Sequence, residues 1–198
     1  MTGDWERLRP EDVAGLLAGF DAPWWIAGGW ALDLYLGAET RPHGDVDVAV
    51  LRRDHLAVHR LLQSWDLRHA TREGTLVPWD GCPLAPPIHA VWARRSHDPD
   101  APWTFEVLLD EHRGARWVYR RDPAVSRPLD ELGAHRDGVP FLRPEVVLLY
   151  KSKGPTATDE ADFAAVAPHL AASARSWLSD ALRTCAPRHA WLERLAGR

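Results

Sequence analysis

The chain has 198 residues, enough for one sizeable domain or two small ones, and its 45% hydrophobic and 26% charged content is typical of a globular protein. The longest apolar run, residues 23–32, is far shorter than the roughly 20 residues that a membrane-spanning helix needs. Acidic residues near the start do not fit a signal or transit peptide. The two distant cysteines lack ligand-spaced partners, which excludes a disulfide framework or a zinc knuckle. We therefore expect a cytoplasmic protein without a membrane segment.

The charge balance bears on the class of partner. The formal net charge is −4, the pI is about 6.2, and the arginines are scattered along the chain. Proteins that bind nucleic acid usually carry a basic excess or a basic stripe. The composition therefore disfavours a nucleic-acid substrate, and a small cationic molecule suits it better.

The first fifty residues alternate helical and strand patterns. A proline at a first helical position opens an amphipathic helix over residues 10–20. The run PWWIAG predicts a short buried strand that ends at Gly28 and Gly29, and WALDLYL predicts a two-turn helix closed by Gly37. The alternation in DVDVAVL predicts a strand on which Asp45 and Asp47 share one face. The next helix is predicted in DHLAVHRLLQSW.

The rest of the chain divides into a strand-rich middle and a helical end. Short β-favouring runs separated by Gly, Pro and Asp predict five strands, in DLRHAT, GTLVPW, IHAVWARR, WTFEVLLDE and RWVYRR. From residue 144 onward the periodicity is helical. We expect an α+β chain with an α/β domain over residues 1–142 and a helical domain over residues 143–198.

The glycine turn and the aspartate pair together point to phosphate chemistry. Backbone amides at a glycine turn before a helix can bind an anion, although most Gly-Gly pairs are simply turns. Two carboxylates at positions i and i+2 of a strand can share Mg²⁺, although solvent-exposed ion pairing is an equal alternative for the pair alone. Their close spacing favours a metal held against phosphates.

These residues carry a family resemblance. The segment GGWALDLYLGAETRPHGDVDV resembles the nucleotidyltransferase motif of the polymerase β-like superfamily, in the form found in the aminoglycoside and lincosamide nucleotidyltransferases. The later segments WVYRRD, DGVPFLRPEVVLLYKSK and DEADF resemble parts of aminoglycoside resistance adenylyltransferases. The resemblance implies an N-terminal nucleotidyltransferase domain, with a mixed β-sheet flanked by helices, followed by a helical C-terminal part.

The resemblance also implies roles for residues of the motif. Gly28 and Gly29 would hold the triphosphate through backbone amides, and Asp45 and Asp47 would bind one or two Mg²⁺ ions. Family members carry a third carboxylate on a later central strand, as a metal ligand or as general base. We favour Glu106, because an ionised carboxylate at mid-strand among apolar residues needs a metal or partner.

Asp110 lies on the same face of that strand and is the alternative third carboxylate.

Five further residues are predicted to contact the nucleotide. Trp30 is placed to stack on a base or sugar, and Arg41 has the fork geometry of a phosphate ligand or could fix its loop. His43 could bind metal or orient a neighbouring carboxylate. Lys151 and Lys153 lie two apart on a predicted helix, so they should point in different directions and Lys151 is favoured to reach the triphosphate.

One segment departs from the family pattern. Where similar proteins have an arginine and a lysine, this chain has Thr156 and Thr158, which puts the affinity for the nucleotide and its identity in doubt. Arg120 and Arg121 could compensate, but on a strand they would face opposite ways, so only one of them could do so.

The leading hypothesis is an Mg²⁺-dependent enzyme that transfers a nucleoside monophosphate, AMP from ATP, to a hydroxyl group of a small molecule. An aminoglycoside-like antibiotic is a candidate acceptor. The alternatives are nucleotidylation of tRNA or of a protein, and a non-catalytic nucleotide-binding protein. The sequence does not indicate the oligomeric state.

Overall fold

A mixed β-sheet with helices packed against it forms the computed structural model, which describes residues 4–197. In chain order the strands are β1 (Trp24–Ile26), β2 (Asp47–Leu51), β3 (Asp66–Ala70), β4 (Leu76–Pro78), β5 (Ala90–Arg94), β6 (Phe105–Arg113), β7 (Arg116–Val118), β8 (Ser126–Pro128), β9 (Gly133–Arg136) and β10 (Val139–Leu142). The helices are α1 (Pro10–Leu16), α2 (Gly28–Leu36), α3 (His55–Leu61), α4 (Pro144–Lys151), α5 (Ala157–Val166), α6 (Ala172–Cys185) and α7 (Trp191–Leu195).

The sheet has the strand order β4-β3-β5-β6-β2-β1-β10-β9. Strand β7 pairs with the C-terminal end of β6, and β8 pairs with β7. The pairs β2–β6 and β1–β10 are parallel, and the other pairs are antiparallel. The mixed sheet flanked by helices confirms the predicted α+β fold class. Because β2 and β6 run in the same direction, residues at their N-terminal ends lie side by side.

The helix after the glycine turn begins two residues earlier than predicted. It begins at Gly28 itself, and Gly37 ends it with a left-handed backbone (φ 78°) while its amide donates to the carbonyl of Asp33. Strand β2 begins at Asp47, so Asp45 lies in the loop before it. The alternation had predicted that both aspartates lie on the strand. Strand β2 pairs with β6 from Asp47 onward and with β1 from Val48 onward.

All five predicted strands of the middle region are present, but three later strands were not predicted. These are β8, β9 and β10, which are three or four residues long and contain Pro128, Gly133 and Pro140. Strand β10 lies beside β1, with Phe141 opposite Ile26. Its short sequence gives little alternation, so tertiary pairing rather than local pattern determines it.

One hydrophobic core joins the sheet to the helices that follow it. Buried side chains of the strands and of α4 to α7 belong to a single cluster. Within that cluster Phe163 of α5 stacks on Trp191 of α7 at a centroid distance of 4.1 Å, and both are almost fully buried. Within residues 4–197, no helix combines the length and the apolar character needed to cross a bilayer.

Candidate active site

Three carboxylates meet at the N-terminal ends of β2 and β6. Asp47 is the first residue of β2 and stands directly opposite Glu106 in the parallel register, and Asp45 precedes it by two positions. One carboxylate oxygen from each of Asp45, Asp47 and Glu106 lies within 4.8 Å of the others. Carboxylate oxygens gathered at this spacing are ligands that hard divalent cations such as Mg²⁺ prefer.

The three carboxylates repel one another when no cation lies between them. Burial, and then the charges of Glu106 and Asp45, raise the pKa of Asp47 well above its usual value. Burial also raises the pKa of Glu106, although the indole of Trp92 opposes this by donating a 3.0 Å hydrogen bond from Nε1 to Oε1. A divalent ion bound by the three oxygens would relieve the repulsion, so the donor set fits Mg²⁺.

The glycine turn lies against these carboxylates. Gly28 has a φ of 57°, and a Cβ atom on it would lie 2.1 Å from Oδ2 of Asp47. A Cβ atom on Gly29 would lie 2.4 Å from Nη2 of Arg41 and 2.6 Å from Cε1 of His43. Glycine is therefore required at Gly28, where φ is also positive, and a side chain at Gly29 would displace Arg41 and His43. The first amides of α2 thus start beside the carboxylates, where a phosphate could approach them.

His43 is held away from the carboxylate cluster. Its Nε2 lies 2.6 Å from Oδ2 of Asp33, whose other oxygen accepts a 2.6 Å hydrogen bond from the hydroxyl of Thr40. Trp30 packs on the other side, with 4.3 Å between its ring centroid and that of His43. His43 therefore contacts the carboxylate of Asp33, which is outside the group of three, and its role at the site stays a prediction. Trp30 lies against this histidine and not in the cleft where a base would stack.

Arg41 and Lys151, the two cations predicted to meet the triphosphate, share one carboxylate of α5. The Arg41 guanidinium donates to both oxygens of Asp162, at 2.8 and 3.1 Å. The Lys151 ammonium lies 3.0 Å from Asp162 and 2.8 Å from Asp159. Burial alone would raise the pKa of Asp162, but its bonds to the two cations outweigh burial and lower it.

The sequence analysis did not single out Asp159 and Asp162. They belong to the segment TDEADF, where the spacing of two carboxylates along a helix was the available signal. Thr156 caps the same helix, because its hydroxyl accepts from the amide of Asp159. The threonine that replaces a basic residue of the family pattern is thus a structural cap in this chain.

A cleft of about 510 Å³ opens over the carboxylates, between the sheet and α4. Residues of β6 form its floor, from Glu106 past Leu108 and Leu109 to Asp110. Lys151 and Lys153 both line it, contrary to the expectation from helical spacing, because α4 ends at Lys151. A second cavity, of about 530 Å³, is lined by residues at the start of β1 and is remote from the carboxylates.

Arg120 and Arg121 also both line the cleft. The sequence had predicted that only one of them could face it, on the assumption that they lie on a strand. Strand β7 ends at Val118, so the two arginines lie in the following turn and escape the alternation.

Asp110, the alternative third carboxylate, lies at the other end of the cleft floor. It stands opposite Leu51 in the register of β2 and β6, and its Oδ1 accepts a hydrogen bond from the hydroxyl of Tyr150. Burial raises its pKa to about 6. The geometry therefore groups Glu106, and not Asp110, with Asp45 and Asp47.

The comparisons with known proteins agree with this geometry. The family model described as aminoglycoside-2''-adenylyltransferase matches residues 11–76, the segment that contains the glycine turn and the aspartate pair. No curated protein matches the sequence significantly. Over these residues the sequence is similar to the aminoglycoside adenylyltransferases. The resemblance predicted from the sequence is thereby confirmed, and with it the enzyme class, a nucleotidyltransferase.

Solved structures of such enzymes share the fold at low sequence identity. A crystal structure of ANT(2")-Ia in complex with adenylyl-2"-tobramycin is 14% identical, with a TM-score of 0.56 over 86% of this chain and 93% of that one. A solution structure of ANT(2'')-Ia is 16% identical, with a TM-score of 0.57 over 94% of each chain. The lincomycin-bound lincosamide adenylyltransferase LnuA is 14% identical, with a TM-score of 0.53 over 79% of this chain and 92% of that one.

Proposed function

We propose that the protein transfers AMP from ATP to a hydroxyl group of a small molecule in an Mg²⁺-dependent reaction. The observation that carries the proposal is the group formed by Asp45, Asp47 and Glu106, with carboxylate oxygens within 4.8 Å of one another beside the glycine turn of α2. The named substrates of the related enzymes, tobramycin and lincomycin, suggest a hydroxyl-bearing antibiotic as acceptor.

The reaction forms one bond and breaks another at the α-phosphorus. The acceptor oxygen bonds to that phosphorus as the bond to the oxygen bridging to the β-phosphate breaks. Pyrophosphate leaves with the electron pair of the broken bond, and the hydroxyl proton passes to a base. When bound, Mg²⁺ supplies charge neutralisation at the phosphates.

The residues of the chain would position the reactants. The amides of Gly28 and Gly29 would bind phosphate oxygens at the start of α2, and Lys151, which lines the cleft, would contribute positive charge there. Asp45 and Asp47 would hold the metal. Glu106 would complete the metal site or accept the hydroxyl proton, while Trp92 keeps its carboxylate in place. Most of the rate enhancement would come from positioning and electrostatics.

The experiment measures pyrophosphate release with Mg²⁺, each of the four ribonucleoside triphosphates, and a panel of aminoglycosides and lincosamides. We expect release with ATP that depends on an acceptor. Glu106→Gln should reduce turnover by about 100-fold or more, whereas Asp110→Asn should retain the metal-dependent binding of ATP. The two substituted residues lie four positions apart on one face of β6, so each variant serves as the control for the other.

Three outcomes would contradict the proposal. Full activity of Asp47→Asn would exclude the metal site. ATP radiolabelled at the α-phosphate could instead label RNA or protein in cell extract and no small molecule. That result would show that the acceptor is a macromolecule. Metal-dependent binding of ATP without any pyrophosphate release would instead favour the non-catalytic alternative.

A further inference from the structure

Three tryptophans lie together beside Glu106. Trp92 of β5 stands opposite Glu106 in the antiparallel register of β5 and β6, so the two side chains share one face of the sheet. The ring centroid of Trp92 lies 4.7 Å from that of Trp5 and 5.4 Å from that of Trp103. The indole that donates to Oε1 of Glu106 is therefore in contact with two other aromatic rings.

Trp5 belongs to a segment that is bonded to the chain just before β6. It lies opposite Trp103 in a short parallel bridge. The amide of Trp103 donates to the carbonyl of Asp4 at 2.8 Å, and the amide of Glu6 donates to the carbonyl of Trp103 at 2.7 Å. The hydroxyl of Thr104 donates to Oε1 of Glu6 at 2.9 Å. These bonds fix the backbone on both sides of Trp5, and so they fix the position of its ring.

The other ring, that of Trp103, is part of a buried network. Trp103 is 7% exposed, and the guanidinium carbon of Arg94 lies 4.6 Å from its ring centroid. Arg94 is itself buried and lies 2.6 Å from a carboxylate oxygen of Asp66. Trp5 is only half-buried. A substitution at Trp5 therefore removes one contact of the Trp92 indole and leaves the buried network in place.

The hydrogen bond from Trp92 determines which oxygen of Glu106 is free to react. An indole N–H donates and cannot accept, so Oε1 is kept as an acceptor of that bond. The second oxygen remains for the metal or for the proton of the substrate hydroxyl. Partners that orient a metal-binding side chain in this way matter, because their loss costs about 10–100-fold in metal affinity or activity.

We propose that Trp5 is a positioning residue of the active site, which holds the indole of Trp92 against Glu106 and thereby fixes the Glu106 carboxylate for transfer. The inference rests on the proposed function and extends its site to two tryptophans outside the cleft lining. Tilted contacts are favourable between aromatic rings, and the planes of Trp5 and Trp92 meet at 55°. Without Trp5 the indole of Trp92 would be free to adopt other rotamers and to donate to water.

A double-substitution cycle tests whether Trp5 acts through Trp92. Pyrophosphate release is measured with ATP, Mg²⁺ and the antibiotic that gives the highest rate, for the wild type, Trp5→Ala, Trp92→Phe and the variant with both changes. We expect kcat to fall about tenfold in Trp92→Phe and about fivefold in Trp5→Ala, with the KM for ATP changed by less than about twofold. The double variant should be no slower than Trp92→Phe, because the bond that Trp5 supports is already lost there. Trp5→Phe keeps an aromatic ring and should restore kcat.

The indole of Trp92 gives a second measurement that does not depend on turnover. In ¹H–¹⁵N spectra of the whole protein without metal, its N–H signal is the one absent from Trp92→Phe. A hydrogen bond to a carboxylate is short and strong, and it moves the proton signal downfield. We expect a downfield signal in the wild type and in Trp5→Phe. In Trp5→Ala it should move upfield, as it should in Glu106→Gln, where the acceptor is uncharged.

Trp24→Ala is the matched control. Trp24 is also a partly buried tryptophan, but it packs against the core beside the second cavity, remote from the carboxylates. We expect this variant to unfold at lower urea concentration than the wild type, while its kcat and the signal of Trp92 stay unchanged. A loss of stability without loss of kcat separates positioning from general damage to the fold.

Three outcomes would overturn the inference. One is a kcat or a Trp92 signal that Trp5→Ala leaves unchanged. Another is a loss of kcat in the double variant that equals the product of the two single losses, because Trp5 would then act independently of Trp92. The third is an equal loss of kcat in Trp24→Ala. The proposed function fails separately, if the wild type releases no pyrophosphate with any acceptor, and the position of the Trp92 signal in Trp5→Ala would then still decide whether Trp5 holds that indole against Glu106.

Discussion

Asp47 is placed where folding and metal binding make opposite demands. Its carboxylate is held beside those of Glu106 and Asp45, and Gly28 approaches it so closely that no side chain fits between them. A carboxylate in such surroundings resists ionisation, because burial and like charges both disfavour the anion. The same crowding gives a divalent cation several oxygen ligands at once. The residue therefore destabilises the fold without metal and provides the site when metal is present.

This conflict predicts how stability depends on pH. The pKa of Asp47 is raised in the folded chain above the usual value of 3.8, so the folded state holds its proton more tightly than the unfolded state does. Without metal, its contribution to the free energy of unfolding should fall as pH rises above about 4. Asp47→Asn should remove this loss and stabilise the metal-free protein near pH 7, while lowering transfer activity by about 100-fold or more. Urea unfolding in EDTA from pH 4 to 8 measures the effect.

Asp21→Asn, a substitution in an exposed loop, serves as the control and should follow the wild-type pH profile. Added Mg²⁺ should stabilise the wild type and leave Asp47→Asn almost unchanged. A variant less stable than the wild type at every pH would show that Asp47 makes structural bonds that outweigh the repulsion.

At the scale of the element, the start of α2 depends on a backbone that only glycine tolerates. Gly28→Ala would introduce a Cβ atom at a φ of 57° and 2.1 Å from a carboxylate oxygen of Asp47. We expect the strand end or the helix start to shift, with a loss of about 1–3 kcal/mol in stability and of most transfer activity. Thermal unfolding and pyrophosphate release measure the two effects.

Gly15→Ala is the matched control for this change. Gly15 lies in α1, where an added Cβ atom meets nothing within 4 Å, so the substitution should stabilise the protein by about 0.4–1 kcal/mol. Equal effects of the two alanines would remove the argument for close approach at Gly28.

The carboxylate of Asp162 joins helix α5 to the loop that carries Arg41. Asp162→Asn would leave Arg41 without its charged partner and Lys151 with Asp159 alone. We expect a loss of about 3 kcal/mol in urea unfolding at pH 7, because Asp162 is almost fully buried. The loss should shrink below pH 3.8, since the lowered pKa of Asp162 gives stability that disappears as its carboxylate is protonated. The KM for ATP should rise about tenfold as the two cations lose their positions.

Asp180→Asn provides the comparison, because its ion pair with Arg183 is exposed on both sides and should contribute within about 0.5 kcal/mol. If Asp162→Asn were as mild as this surface change, the charges of Arg41 and Lys151 would not depend on α5 for their placement.

Local pattern was sufficient for some of these elements and not for others. The alternation around Asp47 and the glycines at 28 and 37 predicted β2 and α2, because turn chemistry and strand periodicity are local signals. Strand β10 is four residues long and pairs with β1, more than a hundred residues earlier in the chain, so no local signal reports it. The same limit applied to the site: the motif contained Asp45 and Asp47, whereas the contact of Trp92 with Glu106 exists only through the pairing of β5 and β6.

At the scale of the whole molecule, the sheet and the C-terminal helices depend on one core. The hydrophobic cluster includes Ile26 and Phe141 from the central strands as well as Leu148 of α4, Phe163 of α5 and Trp191 of α7. The division into residues 1–142 and 143–198 therefore remains a prediction about chain organisation, and it does not imply two independently folding units. The cleft lies between these two parts, which links their packing to activity.

The shared core predicts that the fragment of residues 1–142 does not fold alone, because its sheet would expose the apolar face that α4 and the helices after it cover. The full chain should unfold in one transition, with circular dichroism at 222 nm and tryptophan fluorescence giving coincident curves in urea. These probes report different parts, since helical signal comes largely from α4 to α6 while tryptophans such as Trp25 and Trp103 lie in the first part. Two separated transitions, or a fragment with a cooperative transition of its own, would show two domains that fold independently and meet at the cleft only by docking.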